Sequence, residues 1–208
     1  MDLGIRGRTA LVCAASKGFV LPLMDVTISG TATQGQTLTA SNTLADTDGL
    51  GTITYQWQAD GADIVGATGT SLMLTQAQVG TVITVLANYT DDGSQEESIP
   101  SAGTTPVANV NDPHTGGAAI TGTVAEDQVL NAVSTLADID GLGTLHYQWQ
   151  HDVGSGFVNV GADQATYTLG DADIGGVVRV VISYTDGQGS AEAATSVATT
   201  AITASIHF

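Results

Sequence analysis

Cysteine is all but missing from this chain, and its absence sets the first limit. Cys13 is the only one, so no internal disulfide can form, and any folded unit must be held by packing or by metal. Basic residues are nearly as rare: 4 Lys plus Arg stand against 21 Asp plus Glu, a net charge of −17. Three of those bases (Arg6, Arg8, Lys17) fall in the first 17 positions, so from residue 26 onward 19 acidic residues face Arg179 alone. Such a surface cannot neutralise phosphates, which excludes nucleic acid and anionic lipid as partners. No run of 18 apolar residues occurs, so no membrane-spanning helix is expected. Catalytic signatures are missing too. There is no Gly-x-Ser-x-Gly and no His-Glu-x-x-His, and the four histidines (His114, His146, His151, His207) are scattered. A non-enzyme is expected.

What is present is a repeat. Leu-Ala-Asp-Thr-Asp-Gly-Leu-Gly-Thr-Ile-Thr-Tyr-Gln-Trp-Gln at 44–58 returns as Leu-Ala-Asp-Ile-Asp-Gly-Leu-Gly-Thr-Leu-His-Tyr-Gln-Trp-Gln at 136–150. Trp57 and Trp149 are 92 positions apart, and after a short insertion near 153–156 the offset becomes 95, from Tyr89 to Tyr184. A period of that size is one sandwich domain rather than a solenoid unit. Two copies of roughly 90 residues therefore fill most of the chain. The expected domains are an N-terminal segment at 1–25, repeat 1 at 26–112, and repeat 2 with its tail at 113–208.

Within each copy, short runs punctuated by Gly, Asp, Asn and Thr read as strands. In the first copy these are 26–30, 36–40, 52–58, 64–65, 71–74, 82–89 and a terminal strand at 106–110, with a turn at 75–80. In the second they are 119–122, 129–133, the Trp149 run, 157–160, 166–169, 177–184 and a last strand at 196–202, with a turn at 171–175. Ile53, Tyr55 and Trp57 alternate with Thr54, Gln56 and Gln58, a half-buried strand of period two. One Trp on the third strand and a Tyr late on the sixth predict an all-β chain of two tandem immunoglobulin-like sandwiches. Both aromatics are read as core.

Chemistry, if any, lies in loop carboxylates. Asp46, Asp48, Asp91 and Asp92 belong to the first copy, and Glu126, Asp127, Asp138, Asp140 and Asp186 to the second. Between the copies runs Asn109-Val110-Asn111-Asp112-Pro113. Hard oxygens at alternate loop positions are what Ca²⁺ requires, and like charges so close need a cation or must move apart. The other reading is that Asp and Gly are ordinary turn formers. Under the calcium reading the ligands are Asp46, Asp48, Asp138 and Asp140 in the loops, with Asn109, Asn111 and Asp112 of the connector joined by Glu126 and Asp127. Module one has Gln34-Gly35 where module two has Glu126-Asp127, which places that group at the junction.

Two resemblances add to this. Residues 1–18 resemble the opening of a short-chain dehydrogenase/reductase, whose first strand (here Thr9 to Cys13) runs into a Thr-Gly-x-x-x-Gly-Ile-Gly turn over dinucleotide phosphates. Cys13 and Ala14 replace the Thr-Gly, Gly18 matches, Phe19 takes the Ile position and Val20 the last glycine. No βαβ unit and no Tyr-x-x-x-Lys follow, so the segment reads as a non-functional remnant.

The set Ile-Ser-Gly-Thr-Ala, Leu-Ala-Asp-x-Asp-Gly-Leu-Gly, Tyr-Gln-Trp-Gln, Tyr-Thr-Asp and Asn-Val-Asn-Asp-Pro resembles the tandem immunoglobulin-like or cadherin-like repeats of bacterial surface adhesins and type I-secreted, haemolysin-like calcium-binding proteins. That resemblance implies a spacer or adhesion module, outside the cell or on its surface, with neighbouring repeats of a longer chain and a cell-surface protein or glycan as partners. It also implies that Asn109, Asn111 and Asp112 match an interdomain calcium segment. A carbohydrate- or protein-binding module is the alternative, with Phe157 and Phe208 as the aromatics outside the core.

Overall fold

The structure, a computed structural model, describes residues 25–47 and 49–205. The reductase-like segment lies outside the described residues, as do Asp48, His207 and Phe208. The chain divides into two compact units. One is built on residues up to Thr31, Thr37–Met73 and Thr81–Thr105, the other on Pro106–Phe208 with the short segments Ala32–Gln36 and Leu74–Gly80.

The first unit has seven strands: β1 (Val26–Ser29), β2 (Thr37–Asn42), β3 (Thr54–Ala59), β4 (Ala62–Asp63), β5 (Ser71–Met73), β6 (Ile83–Thr90) and β7 (Glu96–Pro100). They form two antiparallel sheets, β1-β2-β5 and β4-β3-β6-β7. Alternation decides which side chains go inward. Tyr55 and Trp57 on β3 face Ala87 and Val85 on β6, and all four are buried. Ile83 and Leu38 are fully covered, each such side chain contributing roughly 1.5–3 kcal/mol by leaving water. The Trp57 indole N–H is not stranded in this core, because it donates to the Gly69 carbonyl at 2.9 Å.

The second unit repeats the plan with β8 (Ala118–Thr121), β9 (Val129–Ser134), β10 (His146–Asp152), β11 (Val158–Val160), β12 (Thr166–Thr168), β13 (Val177–Thr185) and β14 (Ala191–Thr195). Its sheets are β12-β9-β8 and β11-β10-β13-β14, again antiparallel. Trp149, Leu130, Val178, Val180 and Ile182 make the core, joined by Leu136, Leu169, Tyr184 and Ile202. Trp149 donates to the Gln164 carbonyl at 2.9 Å and stacks on Tyr167 with centroids 5.6 Å apart. Two tandem all-antiparallel β-sheet domains of immunoglobulin-like form are thus present. The only helical turns among the described residues are the 3-10 turns Gln76–Gln78 and Asp171–Asp173.

The last strand of each copy differs from the sequence expectation. Residues 106–110 carry only isolated bridges at Val107 and Ala108, and 196–202 form no named strand. The strands that pair with β6 and β13 are instead β7 and β14. Hydroxyls interrupt the ladder just beyond β7 and β14. Val85 and Ile83 donate their N–H groups to Ser101 Oγ and Thr104 Oγ1, and Val180 and Val178 to Ser196 Oγ and Thr199 Oγ1. Side-chain acceptors have taken the place of carbonyls, so the chain follows the sheet without completing a ladder.

Candidate acidic site

The loop after β9 and the strands β13 and β14 bring carboxylates together at one end of the second unit. Asp138 Oδ1 accepts the Asp140 N–H at 2.8 Å, a local turn that sets both side chains. The Gly187 N–H donates to the Gly141 carbonyl at 3.0 Å and ties this loop to the one after β13. In that second loop Asp186 Oδ1 accepts from the N–H groups of Gln188 and Ser190, both at 2.8 Å. Glu192 on β14 faces Tyr184 on β13 in register. One potential ligand oxygen from each of Asp138, Asp186 and Glu192 lies within 4.8 Å of the other two.

Tyr184 closes the base of this cluster. Its ring is core, yet its hydroxyl lies 2.6 Å from Asp138 Oδ2 and 2.9 Å from Glu192 Oε2. Burial first, then the two carboxylates, push the phenol well above its ordinary value. A hydroxyl has one proton to give, so only one of the two carboxylates can accept it. Two further oxygens have no partner at all: Asp186 Oδ2 and Asp140 Oδ1 are buried and unbonded, on residues only 6% and 4% exposed.

The connector meets this end as a donor. Asn111 Nδ2 donates to Glu192 Oε1 at 2.9 Å, the His114 N–H to Glu192 Oε2 at 2.9 Å, and the Asp112 N–H to Asp140 Oδ2 at 2.8 Å. The Asn111 amide above all, and then the His114 N–H, hold the Glu192 carboxyl below its ordinary range against an opposing effect of burial. Asp112's own Oδ2 is engaged by Gln34 Nε2 at 2.6 Å. Asn109 keeps a buried Oδ1 without a partner.

The expected site residues thus separate into groups. Asp138, Asp140, Asn111 and Asp112 come together. Glu126 and Asp127 do not join them. They lie on the turn between β8 and β9, at the Val129 end of a six-residue strand whose Ser134 end leads to the acidic loop, about 17 Å along the strand. Glu126 Oε2 accepts the Ser205 N–H there, and Asp127 has a φ of 64° with its N–H on the Leu169 carbonyl. Asp46 in the first unit accepts the Tyr89 hydroxyl at 3.2 Å. The residue that sequence reasoning missed is Glu192. Its signal was the offset of 95 from Glu97, the same offset that relates Tyr89 to Tyr184.

Among the described residues, neither His–Asp pair (His146–Asp163, His151–Asp173) has a Ser or Cys hydrogen-bonded to its ring. Nothing there resembles an activated nucleophile.

No protein-family model and no curated protein matches the chain. Solved structures similar to it include three N-terminal domains of the bacteriophage RB49 highly immunogenic outer capsid protein, at 19% identity, 87% of this chain, 59% of that one and a TM-score of 0.31. Extracellular domains 3–5 of Drosophila OTK match at 16% identity, 88% and 67% coverage and 0.31. A tetra-tandem repeat from the extending region of a large adhesion protein matches at 21%, 85% and 48%, with 0.32. The chain thus spans 59% of the phage structure's length. The fold assignment rests on the strand order and register above.

Proposed function

We propose that this chain is a non-catalytic spacer or adhesion module, two tandem immunoglobulin-like sandwiches of a bacterial cell-surface or secreted repeat protein, in which Ca²⁺ stiffens the connector. The observation that carries the reading is the recurrence of one acidic set at corresponding strand ends. Asp46, Tyr89, Asp91 and Glu97 in the first copy match Asp138, Tyr184, Asp186 and Glu192 in the second, and the connector is hydrogen-bonded to the second set. The work of such a module is mechanical, folded units supplying reach between a surface and whatever protein or glycan the parent chain contacts. A carbohydrate-binding face has less support, because Phe157 is covered by the Arg179 guanidinium at 3.8 Å rather than bared for stacking. Among the described residues no helix is long and apolar enough to cross a membrane.

The test is thermal unfolding of the whole chain in EDTA and in millimolar calcium, with magnesium as control. A ligand at a hundredfold its Kd stabilises the folded state by about 2.7 kcal/mol, a midpoint rise of roughly 10–20 °C for domains this small. Equal midpoints in EDTA and calcium would remove the cation from the reading.

A further inference from the structure

We infer that Asp138, Asp186 and Glu192 hold one divalent cation of calcium's size, and that Asn111 of the connector is the positioning residue that aims Glu192 at it. Filling the site and seating the connector are then one linked event. This inference rests on the calcium reading above and assigns it to particular atoms.

Size is the first argument. Oxygens around Ca²⁺ lie at about 2.4 Å, so no two are farther apart than about 4.8 Å. The three carboxylates meet that limit, with their ligand atoms within 4.8 Å of one another. Demand is the second. Asp186 is 6% exposed; its Oδ1 accepts two N–H groups, while its Oδ2 is buried and has no hydrogen-bond partner. A buried acceptor without a donor is costly, and more so when charged. Arg179, the one base after residue 26, is engaged elsewhere, donating to Gln150 Oε1 and stacking on Phe157. A hard cation supplies the missing positive charge.

The role of Asn111 follows from which of its atoms faces the cluster. A ligand asparagine presents its carbonyl oxygen, whereas Asn111 presents its NH₂ group to Glu192 Oε1. Together with the His114 N–H, that contact fixes both Glu192 oxygens. Asp112 likewise offers its N–H to Asp140 while Gln34 holds its carboxylate. The connector therefore orients a ligand without being one, and such outer contacts typically change metal affinity by about 10–100-fold. Linkage is reciprocal, so the cation strengthens the connector's hold on Glu192 by the same factor.

Calcium titration of the full chain by calorimetry tests this, with the His114 amide followed by hydrogen exchange. Asp186→Asn is expected to lose one bound cation per chain while unfolding like the wild type in EDTA. Asn111→Ala should weaken that cation about tenfold and cancel the calcium-dependent protection of the His114 N–H. Asn111→Asp separates the two roles: a ligand would bind calcium more tightly with the added charge, whereas a positioning donor turned into a carboxylate repels Glu192 and binds more weakly. Tighter binding by Asn111→Asp, or wild-type binding by Asp186→Asn, overturns the inference while the calcium reading stands. A wild-type chain that takes up no calcium overturns both.

Discussion

Asp173 is 2% exposed and places a carboxyl group in the interior of the second unit. Its Oδ1 accepts from His151 Nδ1 at 2.6 Å, and its Oδ2 from the Tyr167 hydroxyl at 2.9 Å and the Gly170 N–H at 3.0 Å. The first repeat solves the same position without charge. There the offsets of 92 and 95 place Ala59, Leu72 and Gln78, and Gln78 Oε1 accepts the Thr75 N–H at 3.0 Å. Truncating Asp173→Ala strands three donors, two of them on largely buried side chains. At about 1–1.5 kcal/mol for each donor left unmet, the loss is roughly 3–5 kcal/mol. Against a domain stability of about 5–15 kcal/mol that leaves the unit marginal. Its midpoint should fall by roughly 15–30 °C.

Replacing the whole group is a different perturbation. The triple variant His151→Ala, Tyr167→Leu, Asp173→Gln installs the first repeat's arrangement, in which Leu72 is buried at 9% exposure. Replacing all the partners of a buried hydrogen-bonded group together by packed neutral groups is often nearly neutral, so it should fall within about 1.5 kcal/mol of the wild type. Asp173→Asn should lie between, at about 1 kcal/mol, because His151 can change tautomer and accept from the new amide. Native-state amide exchange gives each unit its own reading, β13 amides for the second and β6 amides for the first. If Asp173→Ala costs under about 1 kcal/mol, or if the triple variant is as damaged as the single one, the accounting by unmet donors is wrong.

Burial, and then the bond and charge of Asp173, raise the Tyr167 phenol to about 12. A folded value above the unfolded one of about 10 means stability that is complete below pH 10 and is lost as pH rises toward 12. Urea midpoints between pH 9 and 12 should therefore fall for the wild type and fall less steeply for Tyr167→Phe, which keeps the ring on Trp149. A Cβ on Gly143 would lie 2.0 Å from the Thr185 carbonyl oxygen, a backbone atom that cannot swing away. Gly143→Ala should cost about 3 kcal/mol in denaturant titration. Gly170→Ala, with nothing within 4 Å and no positive φ, should be neutral or slightly stabilising.

The sandwiches were legible because burial in a sheet writes itself into alternation: Tyr55 and Trp57 between Thr54, Gln56 and Gln58 leave only one face for the core. The carboxylate loops were legible for a similar local reason, since Asp138 and Asp140 make their own turn. Glu192 was not, because a lone Glu in Ala-Glu-Ala-Ala-Thr looks like a solvated strand residue until register sets it opposite Tyr184. His151 and Asp173 are separated by 22 positions and meet only through the fold.

The connector shows the remaining gap most clearly. Asn and Asp are oxygen ligands by residue type, which favours a direct place for Asn111 and Asp112 on a cation. Atom by atom the structure presents donors instead, the Asn111 amide to Glu192 and the Asp112 N–H to Asp140. The Asp112 carboxylate, the obvious ligand, is drawn away by Gln34, 78 positions earlier. In the second copy Glu126 stands where Gln34 does and offers no N–H to hold such a carboxylate. A sequence that reads Asn-Val-Asn-Asp-Pro thus specifies which residues reach the acidic end, while the partner at position 34 decides which of their atoms face it.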